Sequence, residues 1–267
     1  MRPLAVIGHL SRDIVAGSAP RIGGAPWYAG RALRVLGEDA VVFAKCGDTE
    51  RAAFQRKLAT IGLPASLSHG GSTTQFSFAY DDHGVRTMRL DTAGEPWQLN
   101  EPPSGLLRRV EWLHVAPLLR SDFDAAVLER LGSGRRVSLD AQGLVRRPEP
   151  GPLALDTEFD RELLRHVSIL KVSEEEADML TDGNRDALPE LGVPEIVLTL
   201  GPRGSIVFVH GRAEEIPARR VDTADPTGAG DSFAVAYLLA RSNGHAPASA
   251  ARRATALVAA LLMGTAR

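Results

Sequence analysis

Six short apolar runs punctuate the chain: Leu4–Gly8, Ala40–Ala44, Trp112–Val115, Val137–Leu139, Ile169–Val172 and Ile196–Leu200. Each has strand length and is mainly apolar throughout, the pattern of strands buried on both faces. Amphipathic stretches lie between several of them. In Thr49–Ile61, Ala52, Phe54, Leu58 and Ile61 fall roughly on one side of a helix, and Phe123–Leu131 reads likewise. Strands alternating with helices predict a mainly parallel sheet between two helix layers.

Two segments break this rhythm. Ser72–Tyr80 alternates, with Phe76, Phe78 and Tyr80 on one side and Gln75, Ser77 and Ala79 on the other. The turn sequence Asp81-Asp-His-Gly84 and a second run, Val85–Leu90, complete an antiparallel hairpin. Leu10–Ile22 is also not helical in pattern and is placed beside that hairpin. Together they predict a small β-lid formed by about 10–22 and 72–95. Near the C-terminus, Ile196–Leu200 and Ser205–Val209 flank Gly201-Pro-Arg-Gly204 as another hairpin, and Ser232–Arg241 and Ala246–Met263 are Ala-rich and helix-favouring. No repeat or linker divides the chain, so 1–267 is expected to form a single α/β domain carrying the lid.

Composition narrows the function classes. With 44% hydrophobic residues in 267, the chain can bury a large core unaided. Net charge is −2, and the basic residues are scattered; pairs such as Arg108-Arg109, Arg135-Arg136 and Arg219-Arg220 read as solvated faces, which argues against a nucleic-acid partner. A single cysteine, Cys46, excludes an internal disulfide and reads as a packed strand-end residue. The opening MRPLAVIGHL is too short in apolar length for a signal peptide, and TALVAALLMG falls short of a membrane span. No membrane partner and a cytoplasmic location are expected. Seven histidines show no ligand spacing. Trp27 fits a substrate pocket and the core equally well.

The chemistry concentrates in Asp225-Pro-Thr-Gly-Ala-Gly-Asp-Ser-Phe233. Apolar spacing at Phe233, Ala236, Tyr237 and Ala240 predicts a helix whose first turn lies at or just before Asp231. The amides of Gly228, Ala229 and Gly230 therefore sit at a helix N-terminus, where unpaired N–H groups and a positive dipole favour an anion and no bulky side chain intrudes. Asp231 would stabilise that first turn by ~0.3–1 kcal/mol as a cap alone. Capping alone leaves the glycines unexplained, since each costs ~0.5–1 kcal/mol relative to alanine in a regular element. Amides that hold a phosphoryl group beside a carboxylate that takes a hydroxyl proton would explain both, and that is phosphoryl transfer. A Walker A loop is excluded because none of Lys45, Lys57 and Lys171 follows a glycine. A dinucleotide fingerprint lacks its third glycine, where Phe233 stands.

The motif resembles the C-terminal signature of the PfkB carbohydrate kinases, which have the ribokinase-like fold. Asp225, Thr227, Gly228, Ala229, Gly230, Asp231, Ser232 and Phe233 match it. Gly23-Gly24, Gly47-Asp48, Asp140, and Thr199-Leu-Gly201 with Gly204 follow the family order along most of the chain. The resemblance implies a three-layer α/β/α sandwich with a β-lid, ATP and Mg²⁺, and a sugar or polyol acceptor. It implies Asp231 as catalytic base, an anion hole at Gly228, Ala229 and Gly230, and a nucleotide bordered by Ser173, Thr199, Gly201, Gly204 and Thr227. Asp13, Gly23, Gly24 and Tyr28 would meet the acceptor, and Glu176 the metal. The chain departs from the family at Ser173-Glu-Glu-Glu176, where Asn-x-x-Glu is usual and which is also a capping box. Ser11 and Tyr28 stand where asparagines contact the sugar. A nucleoside acceptor and a catalytically silent nucleotide-binding regulator are the alternatives. The Phe76–Phe78–Tyr80 face, if uncovered, would offer a homodimer contact through the lid.

Overall fold

The computed structural model describes residues 4–16, 18–80, 86–101, 104–218, 221 and 226–264. In chain order the first half runs β1 (Leu4–His9), β2 (Ser11–Val15), β3 (Arg21–Gly23), α1 (Ala25–Val35), β4 (Ala40–Cys46), α2 (Arg51–Ala59), β5 (Ala65–His69), β6 (Thr74–Tyr80), β7 (Arg86–Thr92), α3 (Ser104–Leu107) and β8 (Trp112–Ala116). The second half runs α4 (Ala125–Gly132), β9 (Arg136–Asp140), α5 (Gln142–Val145), β10 (Gly151–Pro152), β11 (Ile169–Ser173), α6 (Glu174–Leu180), β12 (Glu195–Thr199), β13 (Gly204–Val209), β14 (Arg212–Pro217), α7 (Ala229–Ser242) and α8 (Pro247–Leu262).

Nine strands form one sheet in the order β14-β13-β12-β11-β9-β8-β1-β4-β5. It is parallel from β12 to β5, and β13 and β14 add an antiparallel edge. All six expected strands lie in it, because their side chains have a core to enter on both faces. In β1, Leu4 and Val6 join α1, α7 and α8 in one helix layer, whereas Ala5 and Ile7 face the layer containing Val127, Leu128 and Leu131 of α4. Local chemistry sets the helix starts: Asp124 accepts from the Val127 N–H at 2.7 Å to open α4, and Pro247 begins α8 where its missing N–H costs nothing.

The second sheet has the order β10-β7-β6-β2-β3 and is the expected lid. The turn 81–85 of its hairpin lies outside the described residues. Asp13 pairs with Phe76 and Val15 with Phe78 in the parallel β2–β6 register, so these side chains share one face. That face is closed at Phe76 and partly open at Asp13, Val15 and Phe78. Phe76 is 3% exposed and packs with Leu90, Leu118 and Leu119, with Phe78 and Met88 at its margin. Of the Phe76–Phe78–Tyr80 face, Phe76 is therefore not uncovered, because the loop after β8 packs over it, whereas Phe78 is only partly buried and the Tyr80 side chain lies outside what is described. On the opposite lid face, Arg12, Gln75, Ser77, Arg89 and Asp91 form a polar network. No helix among the described residues is long and apolar enough to cross a membrane.

Candidate active site

The parallel strands β1, β9, β11 and β12 all end at one edge of the sheet, the edge at which open α/β sheets take their ligands. The turn before α7 meets this edge. Gly228 is the N-cap of α7 with φ 80°, a left-handed conformation that side chains resist, and it has no side-chain cap. A Cβ at Gly228 would also overlap the ring of Tyr28. Tyr28 thus packs against the glycine turn and joins α1 to the start of α7. The turn has to be bare on both counts.

Asp231 lies in the first turn of α7 and keeps partial solvent access. Burial pushes its carboxyl up to about 7, the negative charges of Asp140 and Asp13 push the same way, and the cations Lys171 and Arg146 oppose them. Lys171 is the cross-strand partner of Asp140, with Nζ 3.2 Å from Oδ2. Its ammonium lies 3.6 Å from where a Cβ on Gly230 would sit. Burial alone would lower the Lys171 value, but Asp140, Glu176 and Asp231 outweigh it and hold the lysine charged. Two carboxylates, a buried ammonium and a bare helix N-terminus therefore share one corner.

Glu176 is buried, and its value is raised by that burial against the pull of Lys171. The capping box at the start of α6 is formed: the Ser173 N–H donates to Glu176 Oε2 at 2.7 Å, and the Glu176 N–H donates to Ser173 Oγ at 3.4 Å. Ser173 pairs with Thr199 across β11 and β12, and Thr199 Oγ1 donates to the Val172 carbonyl. Thr199, Gly201 and Gly204 line a mainly apolar cleft of about 360 Å³ with Ala229, Gly230 and Phe233 of α7 and Val258, Ala259 and Leu262 of α8. Thr227 does not line it. It is exposed and borders a second hollow on the other side of the turn, with Tyr28, Arg31 and Arg34. Asp225 lies outside the described residues.

On the lid side, Ser11 Oγ donates to Asp13 Oδ1 at 2.7 Å. Gly23 faces this pair across the β2–β3 ladder, and a Cβ there would overlap the Asp13 carboxylate and the Ser11 hydroxyl. Gly24, at φ 90°, carries the chain past the His9 carbonyl into α1. The charge of Asp13 adds to the upward push on the Asp231 carboxyl. The structure thus gathers Asp13 with Gly23 at the lid, and Asp231 with the Gly228–Gly230 turn at the sheet edge. It puts Thr199, Gly201 and Gly204 in the adjoining cleft and turns Tyr28 and Thr227 to the far side of the turn.

The arrangement of a glycine helix N-terminus, an acid beside it and a β-lid matches a known family along most of the chain: the model of the pfkB family carbohydrate kinases covers residues 19–265. The chain belongs to that family. As a PfkB-family protein it is a phosphotransferase acting on a hydroxyl group. It is similar to a cytidine kinase of Thermococcus kodakarensis, 26% identical over 259 residues that span 91% of this chain and 90% of the relative. A fructokinase of Rhizobium leguminosarum bv. trifolii is 26% identical over 252 residues, 86% of this chain and 75% of the relative. Among solved structures, a pyrophosphate-dependent kinase of the ribokinase family, complexed with a pyrophosphate analog and myo-inositol, superposes with a TM-score of 0.81. It is 24% identical and covers 97% of this chain and 94% of its own, which establishes the ribokinase-like fold of this PfkB kinase.

Sequence reasoning missed Lys171 and Arg146 as members of this corner. A lysine inside the apolar strand ILKVS was a usable signal, since a buried ammonium requires a carboxylate partner. Nothing in the sequence pattern singled out Arg146. The sequence also hid the buried pair His9–Asp122, with Nδ1 and Oδ2 3.2 Å apart, which links the end of β1 to the loop after β8.

Proposed function

We propose that this PfkB kinase transfers the γ-phosphate of ATP to a hydroxyl of a small sugar or polyol. The observation that carries the reading is the place of Asp231, in the first turn of α7, directly after the bare Gly228–Gly230 turn and next to Gly230 of the apolar cleft, where burial pushes its carboxyl up to about 7. The cleft supports a nucleotide donor because its volume is that of a small-molecule site and its lining is apolar, as a purine base requires. ATP seated there would lay its phosphates across the amides of Gly228, Ala229 and Gly230. Asp13 and Ser11 would hold the acceptor through its hydroxyls, with Gly23 and Gly24 letting it approach the backbone.

In the transfer, Asp231 accepts the proton of the attacking hydroxyl as the new P–O bond forms, and the electron pair of the breaking bond stays on the departing ADP. A base near 7 suits this task at neutral pH, and such positioned groups are worth ~10²–10⁴-fold. The lid excludes water, which would otherwise compete for the phosphoryl group. Mg²⁺ fits the donor set: Glu176 is a buried carboxylate whose raised value a divalent cation would reverse, and no cage of three or more ligating side chains exists among the described residues. Mg²⁺ typically relies on one or two carboxylates and the phosphates themselves. It would neutralise charge on the donor's phosphates.

A nucleoside acceptor is the second reading, favoured by the apolar lid face around Phe78 and by the resemblance to the cytidine kinase. A silent regulator is disfavoured by the intact acid and glycine turn. The test is an ADP and phosphate release screen over pentoses, hexoses, inositols and nucleosides, with ATP and pyrophosphate as alternative donors. Turnover on a sugar or inositol with ATP supports the reading. Turnover with pyrophosphate alone refutes the donor assignment, and preference for nucleosides refutes the acceptor class.

A further inference from the structure

We propose that His9 is a positioning residue for the acceptor: its doubly protonated ring ties the lid to the end of β1 and so fixes the strand that carries Ser11 and Asp13. This rests on the lid-side acceptor site read above. His9 ends β1, and β2 begins two residues later at Ser11. His9 is the register partner of Lys45 on β4, and both side chains are buried. His9 Nε2 lies 2.8 Å from the Glu95 carbonyl oxygen, and Lys45 Nζ donates to the next carbonyl, that of Pro96, at 2.8 Å. Two neighbouring strands thus grip successive carbonyls of the segment by which the chain leaves the lid after β7.

The other ring nitrogen reaches a second support of the lid. Nδ1 lies 3.2 Å from Oδ2 of Asp122, a fully buried carboxylate. The same oxygen accepts from the N–H groups of Leu118 and Leu119 at 2.6 and 3.1 Å. Those two leucines pack with Phe76, and Phe76 is the register partner of Asp13. Ser11 and Asp13 are therefore held from two directions: by the chain that continues from His9, and by the loop that packs against the neighbouring strand. At the base of the lid the Gly94 N–H donates to Thr74 Oγ1 at 3.0 Å, which joins the chain's entry to β6 with its exit from β7.

The two contacts fix the protonation state of the ring. A peptide carbonyl and a carboxylate only accept, so a neutral imidazole, with its single N–H, would turn a lone pair on one of them. Only the imidazolium suits both. The charges that face it agree: burial alone would lower the His9 value, Asp122 outweighs it, and Lys45, which opposes Asp122, is itself paired with Glu101 at 2.7 Å. The Trp97 and Phe123 rings meet the imidazole edge-on and add no charge. When the proton leaves at alkaline pH one contact is lost, and the lid slackens either at Glu95 or at the Leu118–Leu119 loop. The cleft at Thr199, Gly201 and Gly204 shares no lining residue with this clamp, so the effect falls on the acceptor and not on ATP.

The experiment measures KM for the preferred acceptor and KM for ATP from pH 6.5 to 9.5 in wild type, His9→Gln and Asp122→Asn. In wild type the acceptor KM is expected to rise about threefold or more towards the alkaline end, while the ATP KM stays within about twofold. His9→Gln should raise the acceptor KM about tenfold at pH 7 and lack the alkaline rise. Asp122→Asn offers an N–H to Nδ1, so that a neutral His9 protonated on Nε2 keeps both contacts. Its acceptor KM should stay flat across the range, within about threefold of the wild-type value at pH 7. A role in folding alone would reduce the amount of active enzyme and leave both KM values and their pH dependence as they are. A wild-type acceptor KM that ignores pH, an acceptor KM unchanged in His9→Gln, or an equal rise in both KM values overturns the proposal. Should His9→Gln fail to fold, Asp122→Asn decides, and an alkaline rise that persists there overturns it. A wild type that phosphorylates no acceptor refutes the kinase reading instead, a result distinguishable from an active wild type whose acceptor KM is indifferent to His9.

Discussion

Asp231→Asn should make the protein more stable and nearly inactive, and the two effects should separate with pH. The substitution keeps the shape of the side chain and removes its ability to ionise. A carboxyl held near 7, against 3.8 for an ordinary Asp, carries a disfavour of its charged form on the order of 4 kcal/mol, by 1.36 kcal/mol per pH unit. Partial solvent access reduces this to about 2–3 kcal/mol. The sign follows from proton binding: between pH 4 and 7 the folded state holds a proton that the unfolded chain releases, so wild-type stability falls as pH rises through that window. The amide has no such penalty. Denaturant unfolding at pH 5 and pH 8 should find the variant gaining relative to wild type at the higher pH. Turnover at pH 8 should fall by ~10²–10⁴-fold, and the wild-type acid limb of kcat/KM, with its midpoint near 7, should vanish. A variant whose stability difference from wild type is the same at both pH values, or that retains a tenth of the turnover, would refute the placement of Asp231.

Three further outcomes are expected. Gly228→Ala places a Cβ against the Tyr28 ring at a φ of 80° and should cost about 1–2 kcal/mol in strain and about 10²-fold in kcat, read by unfolding and steady-state kinetics. Gly23→Ala should push Asp13 and Ser11 out of place, raising acceptor KM by about tenfold or more while the KM for ATP stays constant; an effect on ATP alone would contradict the lid-side acceptor site. His9 is fully buried, which would lower its value, but Asp122 outweighs burial and raises it. Its contribution to stability is therefore complete below about 6.5 and fades as pH rises through the raised folded value. His9→Gln should cost about 3 kcal/mol at pH 6 and less at pH 9, measured by chemical denaturation, and a cost independent of pH would sink the ion-pair account.

The alternation of apolar strands and amphipathic helices determined the parallel sheet and its two helix layers, since a strand apolar on both sides has no other stable setting. The period-two pattern of Ser72–Tyr80 likewise announced the lid. β5 (ASLSH) and β14 (RAEEIP) carried no such signal, because edge strands are only half-buried and need no apolar run. The glycine run with Asp231 was legible because a helix N-terminus free of side chains is a local, backbone property. What the tertiary structure decided was every relation between distant segments. The covering of Phe76 by Leu118 and Leu119, the contact of Tyr28 with Gly228 and the commitment of Lys171 to Asp140 each depend on which chain end meets which strand end. Charge and burial act through distances of a few ångströms, and those distances join residues tens to hundreds of positions apart.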